Sequence, residues 1–221
     1  MKDPQPPQTD GNASVKKIQN PYIGLRPYKE SESAFFYGRD TDRKILVDLI
    51  LASRFTLLFA ASGVGKSSLL QAAVLPQLKD PHQENLDAVY CNNWAGDPLL
   101  SIRSATLEAL GERGRIDAKA LTKDLGEKSL LELFELCCHF VRQPLILVFD
   151  QFEEFFHYHR SSPSFPKYRQ QLVELITNQT VPVSIVLSMR EDFALSLNAF
   201  KPELPTVLFN NFYRLEKTLS Q

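Results

Sequence analysis

Apolar residues along this chain follow two rhythms. The runs Phe55 to Phe59, Leu145 to Phe149 and Val183 to Leu187 are apolar with little alternation, as expected of parallel strands covered on both faces. Leu86 to Cys91 alternates and reads as a short strand. Between these runs the apolar positions recur at helical spacing. Asp40 or Thr41 is placed to cap a helix in which Ile45, Leu46, Leu49 and Ile50 share a face. Further helices are predicted over residues 65–78, from Pro98 to about Leu110, and from a Ser129 cap to about Arg142. Another carries Tyr168, Leu172, Leu175 and Ile176 on one side. Strands alternating with helices predict an α/β fold with a mostly parallel sheet, whose ligands bind at the carboxyl ends of the strands. Gly111 to Glu127 is a polar connection, and residues 1–19, rich in Pro, Gln and Asp, are expected to be a disordered leader.

The chemistry gathers at two of those strand ends. After Phe59 the chain reads Ala60-Ala61-Ser62-Gly63-Val64-Gly65-Lys66-Ser67-Ser68 and then turns apolar again from Leu69. Strand, small-residue loop and helix start stand in the order of a phosphate-binding P-loop. Ser62 to Ser68 would form the cradle: Gly63 and Gly65 let backbone N–H groups converge on phosphate oxygens, and the new helix points its positive end at the anion. Lys66 would reach the β and γ phosphates, and the Ser67 hydroxyl would meet Mg²⁺. The usual spacing places a glycine where this chain has Ala60, a position that closes the strand and needs only ordinary dihedrals.

The second strand end is acidic. Asp150 closes the Leu145 run and is followed by Gln151-Phe152-Glu153-Glu154. A carboxylate there would hold Mg²⁺ opposite Ser67, and one glutamate would orient or deprotonate the attacking water. The two glutamates also suit the first turn of a helix beginning near Phe152, where the helix dipole favours them. Arg190 ends the Val183 strand, either to read the γ-phosphate or to pair with Glu191 or Asp192.

Composition narrows the surroundings. The chain has 221 residues, a formal net charge of −1 and 43% hydrophobic residues, enough for one good-sized domain and without the basic excess of a nucleic-acid surface. The apolar runs fall far short of the ~20 residues that span a bilayer. Cys91, Cys137 and Cys138 offer neither metal-ligand spacing nor a disulfide framework, which fits a reducing cytoplasm. Cys137 and Cys138 share a helix side with Leu130, Phe134 and Val141 and read as small core residues.

With these motifs in hand, the chain resembles the STAND class of P-loop ATPases, in its bacterial signalling branch. The resemblance runs through Asn20 to Tyr28, Phe35 to Asp40, the P-loop, Leu147 to Phe155, Ser188 to Phe193 and Leu204 to Leu215. It implies a nucleotide-binding domain over residues 20–217 and a three-layer sandwich of the additional-strand type, order 5-1-4-3-2. In that order the Ser184 to Leu187 strand lies between the P-loop strand and the Asp150 strand. It also implies that Tyr37, Gly38 and Arg39 lie against the adenine and ribose, although Arg39 equally suits a helix start beside Asp40 and Asp42. The family's helical lid, winged helix and sensor repeats would follow Leu215, so residues 218–221 read as a truncated tail.

Two readings of function follow. The first is an ATP-binding, slowly hydrolysing, Mg²⁺-dependent switch module of a signalling ATPase, with self-association or other protein domains as partners. The second is a degenerate nucleotide-binding or interaction scaffold without turnover. A small-molecule kinase would need an arginine-rich lid and a transporter ATPase an LSGGQ-like signature, and the sequence has neither.

Overall fold

The computed structural model describes residues 24, 26–118, 121, 128–204 and 210–217. The expected leader (1–19) and tail (218–221) lie outside these residues, as do residues 205–209 and, in the polar connection, residues 119, 120 and 122–127. The elements are α1 (Asp40–Ala52), β1 (Phe55–Ala60), α2 (Lys66–Leu69), a π turn (Leu70–Val74), α3 (Leu75–Lys79), β2 (Asp87–Cys91) and α4 (Pro98–Glu112). There follow α5 (Leu130–Val141), β3 (Leu145–Phe149), α6 (Glu153–His159), α7 (Phe165–Thr177), β4 (Val183–Arg190) and β5 (Phe212–Arg214).

The five strands form one sheet in the order β2-β3-β4-β1-β5, every ladder parallel. This is the additional-strand order: β4 separates β1 from β3 and aligns Ala60 with Arg190 and Phe149 with Leu187. Successive strand residues face opposite sides. Phe55, Leu57, Leu147 and Phe149 therefore join one core with α4, α5, α6 and α7, while Leu58, Ala60, Ile146 and Val148 join a second with α1, α2 and α3. Covering both faces explains the unbroken hydrophobicity of β1 and β3.

Local rules account for two helix starts. Ser129 caps α5 in a capping box with Glu132, and Asp97 accepts from the N–H groups of Leu99 and Leu100 ahead of α4. Cys137 and Cys138 are buried on α5 as expected. Two details differ from the sequence reading. Helix α1 buries Leu46, Val47 and Ile50 and leaves Ile45 exposed, and its cap position is Arg39, with no side-chain cap. The helix after the P-loop is interrupted by the π turn just before Pro76. Pro76 has no N–H to donate, and its ring would crowd the Ala72 carbonyl in a straight α-helix; widening by one residue relieves both.

Asp87, fully buried at the start of β2, pins the sheet edge to the end of α4. Its carboxylate meets Arg113 at 2.6 Å and Arg115 at 3.0 Å and accepts from Gln143 Nε2 at 2.5 Å. Asp87→Ala strands these donors, and because the arginines keep some solvent the loss falls at the low end for a broken buried pair, about 3 kcal/mol. Urea denaturation checks this: a stability within 1 kcal/mol of the parent would show that the cluster does not hold the edge.

Candidate functional site

The loop between β1 and α2 has the backbone a phosphate cradle needs. Gly63 has φ 75° and Gly65 φ 101°, both in the left-handed region. A Cβ on either would meet no atom within 4 Å, so the requirement for glycine is dihedral and not one of room. Ala60 is the buried last residue of β1, and among the described residues the only non-glycine positive φ angles are at Asn85, Arg142 and Gln151. The missing first glycine therefore costs no strain. Lys66 opens α2 and is 8% exposed, and among the described residues its Nζ donates only to the Ala60 carbonyl, at 3.4 Å. Burial pushes its pKa down, while Glu153 and Asp150 pull it back. A buried ammonium with one long hydrogen bond has donor capacity left for an anion.

Asp150 follows β3 and is fully buried. Its Oδ1 accepts from Ser188 Oγ and its Oδ2 from Tyr90 Oη, both at 2.7 Å. Its backbone carbonyl accepts from Trp94 Nε1 at 2.8 Å, and Trp94 meets Phe149, Phe152 and Phe155 edge-on. An aromatic core thus fixes the peptide that carries the acid. Gln151, the next residue, takes φ 53°, a conformation non-glycine residues rarely adopt, and this turns the chain into α6. Glu153 and Glu154 form the first turn of α6, as the helix-start reading expects, yet they differ in placement. Glu153 faces the P-loop cavity, its Oε2 accepting from the Arg190 N–H at 3.2 Å; Glu154 is not in the wall. Arg190 lines the cavity, while its guanidinium pairs with Asp192 at 2.6 Å, as one of its two readings expects, and lies over the Phe193 ring.

The cavity has a volume of about 470 Å³. Ser62, Gly63, Gly65, Lys66, Ser67, Ser68, Gln151, Glu153 and Arg190 line it, together with Gly24, Arg26, Pro27 and Tyr28. The last four were not anticipated as site residues, although the family resemblance runs through them. The Tyr28 N–H donates to Ser68 Oγ at 3.2 Å, and Arg26 forms a two-pronged pair with Glu32 at 2.5 and 2.7 Å. Tyr90 and Ser188 were missed as well, because their signal is sheet order: β2 and β4 flank β3 and bring both hydroxyls to Asp150.

Tyr37 and Arg39 line a neighbouring cavity of about 300 Å³ with Ala72, Pro76 and Gln77. Tyr37 is 80% exposed, and Gly38 makes the turn between it and Arg39 with φ 80°. Arg39 donates to the Val64 carbonyl at 3.1 Å, the Glu216 carbonyl at 2.8 Å and Asp42 at 2.9 Å, and so braces the P-loop from behind. Val64 meets the site through this brace and is not in the cavity wall.

The donor set suits Mg²⁺ and not a metal held wholly by protein. Among the described residues no group of three or more His, Cys, Asp or Glu converges. Asp150 is instead tied to the P-loop helix, its Oδ2 accepting from Tyr90 Oη, which accepts in turn from Gln71 on the turn that continues α2. Mg²⁺ in phosphate sites takes one or two protein ligands and keeps water and phosphate oxygens for the rest. No described helix is long and apolar enough to cross a membrane.

Solved structures share the architecture. The Walker-type ATPase PABY2304 of Pyrococcus abyssi superposes with a TM-score of 0.63 at 16% identity, over 90% of this chain and 58% of that one. The Aeropyrum pernix ORC2 protein, in its ADPNP–ADP complexes, gives 0.58 at 16% identity over 81% of this chain and 48% of its own. The Aeropyrum pernix ORC1 protein in complex with DNA gives 0.54 at 16% identity, over 83% and 46%. This chain therefore spans only about half the length of these structures. No curated protein matches the chain in sequence. The family model for novel STAND NTPase 1 matches residues 21–219, and on that match, with a P-loop and an acidic strand end meeting at one sheet edge, the chain belongs to the novel STAND NTPase 1 family.

Proposed function

We propose that this P-loop NTPase binds ATP with Mg²⁺, hydrolyses it slowly, and acts as the switch module of a signalling ATPase in the cytoplasm. The observation that carries the proposal is the buried Lys66 ammonium, whose Nζ has, among the described residues, a single 3.4 Å hydrogen bond and which faces a cavity walled by P-loop residues. A triphosphate would supply a counter-charge. Lys66 then neutralises β and γ phosphate charge, and the backbone N–H groups at Gly63 and Gly65 cradle the oxygens. Ser67 and Asp150 would hold Mg²⁺, which offsets charge on the phosphates when bound. Glu153 orients the attacking water, Arg190 leaves Asp192 to meet the γ-phosphate, and Tyr37, Gly38 and Arg39 flank the base and ribose.

The alternative, a nucleotide-binding scaffold without turnover, is favoured by one feature: Arg190 is already committed to Asp192, so the γ-phosphate must compete for it. Other protein domains or a second copy of the chain are the proposed partners. Likeness to the DNA-bound ORC1 is one of fold, and a net charge of −1 adds no field for nucleic acid.

Titration of the purified protein with ATP, ADP and GTP, with and without MgCl₂, tests the proposal. ATP is expected to bind, more tightly with Mg²⁺ and in preference to GTP. Absence of nucleotide binding by the folded protein would overturn it, and binding without phosphate release would favour the scaffold.

A further inference from the structure

Tyr90, the penultimate residue of β2, has a half-buried side chain that reaches past the end of the neighbouring strand to the acidic centre. Its hydroxyl donates to Asp150 Oδ2 at 2.7 Å, while the phenol oxygen accepts from Gln71 Nε2 at 3.0 Å. These partners are not arbitrary: Asp150 is one of the two side chains proposed to hold the cation, and Gln71 lies on the turn that continues α2, the helix carrying the other, Ser67. Tyr90 Oη thus ties the end of β3 to the P-loop helix.

We propose that Tyr90 is the positioning residue of the cation site: its hydroxyl holds the Asp150 carboxylate against the P-loop helix so that Mg²⁺ meets a preformed ligand. This rests on the Mg²⁺–nucleotide reading above. Ser188 fixes the other carboxylate oxygen. Between them the two hydroxyls leave Asp150 no freedom to rotate, yet each of its oxygens retains lone-pair capacity for a cation or its water. Without the Tyr90 hydroxyl, Asp150 loses its tie to the P-loop helix and the carboxylate can turn about its Cβ bond. A ligand held by an outer partner typically loses about 10–100-fold in metal affinity when that partner is removed. The phosphate cradle, built from backbone and Lys66, is untouched.

The test measures the dissociation constant of a fluorescent ATP analogue in EDTA and in MgCl₂ for the full chain, with thermal melts as a check on folding. The ratio of the two constants is the coupling between cation and nucleotide. In Tyr90→Phe that ratio is expected to shrink by about ten-fold, with binding in EDTA within about two-fold of the parent. Gln71→Met, which leaves the Tyr90 proton on Asp150 but frees the ring, should shift the ratio in the same direction by less. An unchanged ratio in folded Tyr90→Phe overturns the inference, as does an equal loss with and without Mg²⁺, the mark of a merely structural role. If Tyr90→Phe does not fold, Gln71→Met decides: a shifted ratio supports the role and a parental one overturns it. A parent that binds nucleotide with no Mg²⁺ dependence removes the Mg²⁺ reading itself, and this inference with it, which the parent titration alone reveals.

Discussion

Lys66→Ala is expected to lose ATP affinity by at least about 2 kcal/mol, some thirty-fold in the dissociation constant, while the fold persists. The two halves of this expectation share one cause. The Lys66 ammonium is buried, yet among the described residues its Nζ has only a long hydrogen bond to the Ala60 carbonyl, so the folded protein gains little from it. A triphosphate would gain a charge-assisted contact inside a site where water screens poorly. Removing the side chain also removes a desolvated charge, so the melting temperature should stay level or rise. Isothermal titration calorimetry with ATP and Mg²⁺, alongside a circular dichroism melt, measures both. A folded Lys66→Ala variant that binds ATP like the parent would show that the cavity beside the P-loop is not the nucleotide site.

The second large effect separates two adjacent glutamates. Glu153→Gln should keep ATP binding while single-turnover hydrolysis falls by about 10²-fold or more, the usual size of a general-base contribution. Gln keeps an oxygen for the Arg190 N–H that Glu153 Oε2 now accepts, so the wall of the cavity is retained and only the proton acceptor is lost. Glu154→Gln should hydrolyse at the parental rate and lose only the helix-dipole contribution, under about 1 kcal/mol of stability. Their difference in placement is the basis: Glu153 lines the cavity with Lys66 and Gln151, and Glu154 does not. Parental hydrolysis by Glu153→Gln would move the base elsewhere, to Glu154 if that variant is slow. A parent that binds ATP without ever releasing phosphate makes the scaffold the better account.

Much of this protein was legible in its sequence because the determining physics is local. An apolar run needs no partner to declare itself a strand covered on both faces, and β1, β3 and β4 lie where those runs fall. The P-loop was equally readable, since Gly63 and Gly65 owe their identity to their own φ angles, and Ala60 could be accepted from its place at a strand end. Ser129 capped its helix through a contact three residues away. The orientation of α1 was less secure, because Ile45 and Val47 are both apolar and only the packing partner chooses between them.

What the chain could not state alone is adjacency between distant segments. Strand order came through family resemblance and not from spacing, because the same strand pattern suits more than one parallel sheet. That order places β4 between β1 and β3 and so brings Arg190, Ser188 and Asp150 to one edge. Tyr90 and Gln71 carried no signal in the sequence, since a tyrosine near the end of a strand and a glutamine on a helix are ordinary residues until the fold places the phenol between the glutamine and a buried carboxylate. The same holds for Glu153 and Glu154, identical in chemistry and neighbours in sequence. Only the turn at Gln151 and the pitch of α6 aim one of them at the cavity and the other away.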